Sequence, residues 1–162
     1  MRLGAGLVVA WALAVAPGLA AAEPDATTGK PEVLPLGFDV LASFPYVVPD
    51  PVAAPAARPP SPIPDKVKAL HGRVAAITGF MLPLELKEGR ARQFVLVRNQ
   101  ASCCYGMSPN LNEYVLVTMT GPGVRPEMDV PVTVIGRLKV GETYEGGLLV
   151  GIYQMDGERL GP

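Results

Sequence analysis

The chain has 162 residues and a formal net charge of −1, from 14 Lys and Arg against 15 Asp and Glu. This balance excludes the basic surface by which nucleic-acid-binding domains and polybasic membrane segments are recognised. Aromatic residues make up only 6% of the chain, so few side chains are available for stacking on bases. We therefore expect no nucleic-acid partner.

Residues 1–22 have the pattern of a secretory signal peptide. Arg2 supplies a positive start, an apolar run follows, and Ala20 and Ala22 occupy the two positions that signal peptidase inspects. An uncleaved membrane anchor is the alternative, because about 20 apolar residues are enough to span a bilayer. The Ala-x-Ala ending favours cleavage after Ala22. We expect a periplasmic mature protein that meets the membrane only through its signal peptide.

The first part of the mature chain predicts little regular structure. Residues 23–33 are polar and predict a disordered leader. Phe38, Leu41 and Phe44 are spaced three apart, which predicts a short helical segment.

A Pro-rich connector completes residues 34–64. Eight prolines lie between Pro45 and Pro64, and such a run is extended, stiff and unable to join a sheet. We expect the following domain to fold without this connector. The alternative is that the Phe38–Phe44 segment packs into that domain as a plug.

Residues 65–158 predict one small β domain. Five runs rich in Val, Ile, Leu and aromatic residues predict strands at 73–80, 93–98, 114–119, 132–138 and 148–155. Gly79, Gly136 and Gly151 fall inside these strands, where glycine is typical of bulges and sharp barrel bends. The prediction is an all-β fold, a five-stranded OB-like barrel preceded by the connector and the helical segment. Residues 121–130 leave room only for a loop where such barrels often carry a helix.

Cys103 and Cys104 are the only cysteines, and they are adjacent. Two cysteines in an exported chain normally form a disulfide. Neighbouring Cα atoms are about 3.8 Å apart, whereas an unstrained disulfide needs about 4.4 to 6.8 Å. A bond between them would also close almost no chain, so it would stabilise the fold very little. A structural disulfide is the least expected role for this pair.

Four roles remain open for the cysteine pair: a metal site, a redox-active dithiol, a disulfide to a partner chain, and inert packing. Thiolates bind soft or borderline ions such as zinc or copper. Two adjacent thiolates do not complete a coordination shell, and the residues that could complete it are His71, Met107, Glu113 and Asp129. The predicted metal site consists of Cys103, Cys104, His71 and Met107.

No pattern in the sequence predicts a catalytic site. Glu113 and Asp129 are isolated carboxylates with no partner in sequence for acid–base catalysis. Ser102 and Ser108 lack the turn that exposes a nucleophilic serine. We therefore expect a non-enzymatic protein.

Several segments together resemble a family of small exported bacterial proteins of unassigned function. They are Phe38-Asp39-Val40-Leu41 with Phe44-Pro45-Tyr46, the run Ile77-Thr78-Gly79-Phe80-Met81-Leu82-Pro83-Leu84, and Cys103-Cys104-Tyr105-Gly106 followed by Pro109 and Asn112-Glu113. The resemblance covers residues 35–155. It implies ABC-transporter components of the envelope as partners, since such proteins are often encoded beside export-type ABC transporters, and some of these neighbourhoods suggest metal homeostasis. A more distant likeness is to OB-like modules with a Cys-Cys loop.

These observations lead to one main functional hypothesis and two alternatives. The main hypothesis is an exported, non-enzymatic accessory module of the cell envelope that binds a metal ion, zinc or copper, or a transporter component through the Cys103-Cys104 loop. The first alternative is a thiol-redox protein that uses the same pair. The second is an OB-type module that binds an oligosaccharide or a peptide.

Overall fold

The computed structural model describes residues 32–48, 61–101 and 108–162. The predicted signal peptide, most of the leader and much of the Pro-rich connector lie outside these ranges. Cys103, Cys104 and Met107, three of the four predicted metal ligands, also lie outside the described residues. Within the described ranges, no helix combines the length and the apolarity needed to cross a membrane.

Strands dominate the described part of the chain. Its two helices are four residues long each: α1, Phe38–Leu41, and α2, Asp65–Lys68. The strands are β1, Leu34–Leu36; β2, Val74–Lys87; β3, Arg90–Val97; β4, Tyr114–Met119; β5, Pro131–Glu145; and β6, Leu148–Leu160. The predicted all-β fold is confirmed, and α1 lies within the predicted helical segment.

Five of these strands form a ring. Around it, β2 pairs with β3, β3 with β4, β4 with β6, β6 with β5, and β5 again with β2. Every pairing in the ring is antiparallel except β4–β6, which is parallel. A Greek-key barrel of five strands is the OB-like architecture that the sequence predicted. The connection from β4 to β5 carries no helix, as expected from its length.

The long strand β2 closes the ring because it pairs along both of its edges. Phe80 is opposite Val97 of β3 on one edge and opposite Pro131 of β5 on the other. The register with β3 then shifts on both sides of Glu85, and such irregularities bend a strand and increase its twist. Beyond these shifts β2 continues to Lys87, whereas the predicted strand ended at residue 80. β2 and β3 form a hairpin that turns at Glu88 and Gly89.

The sheet has a sixth strand, β1, that the sequence analysis did not predict. Leu34, Pro35 and Leu36 run parallel to Ala75, Ala76 and Ile77 of β2. Three residues with a proline at the centre show neither the alternation nor the length by which a strand is recognised. Its pairing depends on β2, which lies about forty positions later in the chain.

The region before the barrel contributes to the barrel's own core. Phe38, Leu41 and Phe44 are buried and belong to the same hydrophobic cluster as the inward side chains of the strands. A Cβ atom on Gly79 would lie 3.1 Å from the Phe38 ring and 2.6 Å from the Val97 carbonyl oxygen, so glycine leaves the room in which Phe38 packs. These contacts favour the plug over the expectation that the β domain folds without the preceding region.

Candidate functional site

A groove of about 400 Å³ crosses the outer surface of the barrel between its two long hairpins. We call it the β3–β4–β6 groove. Its lining comes from all five strands of the ring: Leu84, Gln93, Phe94, Leu116, Val117, Thr118, Lys139, Glu145, Val150, Gln154, Met155 and Asp156. Phe94, Val117 and Met155 are core residues that are almost fully buried, so the other nine side chains provide the accessible surface of the groove.

Strand register sets the floor of the groove in two rows. In one row Gln93 is opposite Thr118, and Thr118 is opposite Asp156. In the other row Leu116 is opposite Gln154, and Gln154 is opposite Lys139 of β5. Because side chains alternate between the two faces of a strand, these residues point outward while their neighbours fill the core. The floor therefore alternates amide, hydroxyl, aliphatic and charged groups.

Leu116 lies over a gap in the neighbouring strand. A Cβ atom on Gly151 would lie 3.0 Å from Cδ1 of Leu116, so the missing side chain of Gly151 makes room for the leucine. The Tyr114 hydroxyl donates a hydrogen bond of 2.7 Å to the Val150 carbonyl oxygen and ties β4 to the β5–β6 hairpin. Burial raises the pKa of Tyr114, so this donor stays protonated further into the alkaline range than an exposed tyrosine.

Exposed aliphatic residues line the two sides of the groove. Leu84, beside the register shift in β2, is 64% exposed on one side. Val150 lines the other side, and Leu148 near the tip of the same hairpin is 61% exposed. Isolated exposed leucines are common on protein surfaces, but several around one concavity are typical of a binding site.

Of the three charged side chains in the groove, two form an ion pair with each other and one has no ion pair among the described residues. Lys139 Nζ lies 2.7 Å from Asp156 Oδ1, so these two charges largely neutralise each other. Glu145 is exposed at the start of the β5–β6 turn and has no ion pair with any residue in the described ranges. The groove thus has a net negative charge at one end.

A second candidate region is the connection between β3 and β4, which contains the cysteine pair. Its two ends are joined: the Arg98 amide donates to the Glu113 carbonyl oxygen at 3.0 Å, and the two side chains form an ion pair of 3.3 Å. The Asn110 side-chain amide donates to Glu113 Oε2 at 2.9 Å. Glu113, an alternative metal ligand in the sequence analysis, therefore anchors the base of this loop.

The loop base is also attached to the plug. Asn112 is 5% exposed, and its side-chain amide donates a hydrogen bond to the Phe44 carbonyl oxygen. A cavity of about 450 Å³ lies beside this contact, lined by residues 42–46 and by Asn110, Asn112 and Glu113. The C-terminal end of the cysteine-containing loop therefore lies beside the N-terminal segment.

His71 lies just before β2 and contacts the backbone of β5. Its Nδ1 atom is 3.1 Å from the Val140 carbonyl oxygen and 3.2 Å from the Val140 amide nitrogen, so either neutral tautomer has a partner. With the proton on Nδ1, Nε2 has the free lone pair that metal-binding histidines use, while a backbone carbonyl orients the ring. Among the described residues, no three His, Cys, Asp or Glu side chains are grouped closely enough to hold a metal ion.

The sequence analysis did not find the groove residues. Gln93, Leu116 and Thr118 belong to strands that were predicted, but no exposed binding face was assigned to those strands. The available signal was alternation, because Leu116 and Thr118 fall between the buried residues Val115, Val117 and Met119. That pattern identifies the outward face of β4, whereas the neighbours of that face depend on the parallel pairing with β6.

Comparisons with known proteins agree on one family. A family model described as DUF3299, protein of unknown function, matches residues 55–162. The crystal structure of a DUF3299 family protein from Pseudomonas aeruginosa PAO1 is similar to the chain, with 27% identity and a TM-score of 0.55 over 82% of this chain and 95% of that chain. None of the curated proteins matches.

Proposed function

The chain belongs to the DUF3299 family of proteins of unknown function, and we propose that it is an exported, non-enzymatic binding module of the cell envelope. The module holds its ligand in the β3–β4–β6 groove. The observation that carries the proposal is the groove itself, in which aliphatic sides enclose a polar floor between two hairpins. Small-ligand and peptide sites typically combine apolar walls with a few fixed polar groups.

The position of the groove on the barrel supports this role. OB-fold proteins bind ligands on the face of their second and third strands, between the loops that join strands one to two and four to five. In this barrel the corresponding strands are β3 and β4, and the corresponding loops are the turns after Lys87 and Glu145. Analogy with other OB-fold proteins supports this position, and the lining residues supply the chemistry. Oligosaccharides and peptides are the two ligand classes that an OB face in the periplasm would meet.

Nuclear magnetic resonance tests this proposal directly. Amide spectra of the mature protein are recorded with pools of soluble oligosaccharides and with pools of short peptides. A ligand should move the signals of Gln93, Leu116, Thr118 and Gln154, and leave those of Thr78 and Thr133 on the β2–β5 side unchanged. Ligands that move only the signals of Thr78 and Thr133 would contradict the proposal.

The cysteine loop supports a second candidate function, binding of zinc or copper. Cys103 and Cys104 cannot form an unstrained disulfide with each other, and the loop that contains them is joined at its base by Arg98 and Glu113. His71 has a tautomer that leaves Nε2 free. Bound zinc or copper(I) would be held by the two thiolates, with His71 and Met107 as the remaining predicted ligands.

Location and partners complete the proposal. We expect cleavage after Ala22, residence in the periplasm and association with envelope ABC-transporter components. Sequencing the N-terminus of the processed protein tests the first two expectations, and the predicted first residue is Glu23. A chain that keeps Met1 in a membrane fraction would contradict them.

A further inference from the structure

We infer that the ligand of the β3–β4–β6 groove is an extended peptide segment of a partner protein, about four or five residues long, with a Lys or Arg beside Glu145. This inference rests on the proposed function, because it names the ligand class of the same groove. Three features of the lining carry it: the kinds of side chain present, the width of the floor and the uneven pairing of charge.

The side chains of the groove match a peptide better than a sugar. A pyranose ring presents a flat C–H face, which flat aromatic rings cover well. The only aromatic residue in the lining is Phe94, and it is fully buried. The accessible apolar groups are instead branched aliphatic side chains, the exposed Leu84 and the half-buried Leu116 and Val150, which suit the aliphatic side chains of a peptide.

The polar groups of the floor match a peptide backbone. Gln93 and Gln154 each carry an amide that both donates and accepts, and the Thr118 hydroxyl does the same. Within the described part of the chain, none of these three side chains forms a hydrogen bond with another residue. An extended peptide has alternating N–H and C=O groups that need such partners once they leave water.

The width of the floor sets the length of the segment. The two rows cross β3, β4, β6 and β5, which are three inter-strand intervals. At about 4.8 Å per interval, the floor is about 14 Å wide. An extended chain rises about 3.3 Å per residue, so four or five residues cross it, with every second side chain facing the floor.

The Glu145 carboxylate favours a Lys or Arg of the ligand at one end of the groove. Lys139 is held by Asp156 at 2.7 Å, so it offers little attraction to an anionic ligand. Glu145 has no ion pair among the described residues and lies at the rim. A Lys or Arg of the ligand would find its only unpaired partner there. An exposed ion pair is worth at most about 1 kcal/mol, which corresponds to about a fivefold change in affinity.

Selection from a random dodecapeptide library displayed on phage tests the inference with the full mature protein. The selected peptides should share aliphatic residues at alternate positions and one Lys or Arg. By fluorescence anisotropy, Glu145→Gln should weaken binding of a selected peptide by up to about fivefold. The matched control, Glu158→Gln, removes an exposed carboxylate of β6 outside the groove and should leave the affinity unchanged.

Two blocking variants separate failure of the inference from failure of the proposed function. Leu116→Arg and Thr118→Arg each place a long side chain on the floor of the groove, and both should abolish peptide binding. Thr118 is exposed and the core does not need it, so Thr118→Arg should leave the unfolding temperature unchanged. A glycan array on which wild-type protein binds an oligosaccharide and Thr118→Arg does not would overturn the peptide inference and keep the groove. Peptides and glycans that bind wild type and Thr118→Arg equally would overturn both.

Discussion

The hydroxyl of Tyr153 donates a hydrogen bond of 2.8 Å to the backbone carbonyl oxygen of Leu41. Tyr153 points into the barrel from β6, and Leu41 is the last residue of α1, more than a hundred positions earlier. Both residues are fully buried. The bond therefore joins the N-terminal segment to the barrel core at a point that water does not reach.

Removing this hydroxyl should destabilise the protein. Tyr153→Phe keeps the ring and leaves the Leu41 carbonyl oxygen buried without its partner, which costs about 1–3 kcal/mol. Urea denaturation of the mature protein should show a lower midpoint with an unchanged slope. An unchanged midpoint would mean that water or another donor reaches the Leu41 carbonyl oxygen.

The plug should contribute to stability through its buried face only. Leu41→Ala removes a fully buried side chain and should cost about 2–5 kcal/mol. Val40, its neighbour on α1, is 39% exposed, and Val40→Ala should change stability by about 0.5 kcal/mol or less. Thermal unfolding of the two variants makes the comparison. Equal effects would show that the segment does not dock in the barrel as described.

Alkaline pH should weaken the fold through three tyrosines. Burial raises the pKa of Tyr46 and of Tyr153, and Glu142 beside the Tyr46 hydroxyl raises the pKa of Tyr46 further. Burial also raises the pKa of Tyr114. The unfolded chain loses these protons near pH 10 while the folded chain keeps them, so stability is full below about pH 10 and falls as the pH rises above it.

An absorbance titration of phenolate formation checks this expectation. In native protein the three phenols should ionise above the ordinary range, and in urea all of the tyrosines should ionise near about pH 10. The urea midpoint should fall between neutral pH and about pH 11. Native phenols that all ionise normally would contradict the burial of the three hydroxyls.

The cysteine pair offers a test of the metal hypothesis. Cys103→Ser with Cys104→Ser should leave the unfolding temperature nearly unchanged, because an adjacent pair closes almost no chain. The same variant should lose stoichiometric zinc or copper, measured by native mass spectrometry. A large fall in unfolding temperature with unchanged metal content would instead indicate buried cysteines, since each buried hydroxyl without a partner costs about 1–3 kcal/mol.

The sequence was sufficient for features that depend on local pattern. A run rich in Val, Leu and aromatic residues identified the strand at 114–119 with its observed bounds. The spacing of Phe38, Leu41 and Phe44 predicted the short helical segment in which α1 lies. In both cases the signal lies in residues that are close together in sequence, so the element could be predicted without its partner strands.

Features that depend on distant partners were not predictable in the same way. The strand β1 exists because Leu34–Leu36 meets Ala75–Ile77, and nothing within its three residues indicates that pairing. The hydrogen bond of 2.7 Å that the Tyr46 hydroxyl donates to Glu142 likewise joins the N-terminal segment to β5 across the fold. The groove has the same origin, because the parallel pairing of β4 with β6 places Gln154 beside Leu116.

Site-specific photocrosslinking in cells tests the central claim, that the β3–β4–β6 groove binds a ligand. A photoreactive amino acid replaces Thr118 on the groove floor in one strain and Thr78, an exposed threonine of β2 outside the groove, in another. We expect a covalent adduct at Thr118, identified by mass spectrometry, and none at Thr78. Adducts at Thr78 with none at Thr118 would show that the groove is not the binding surface.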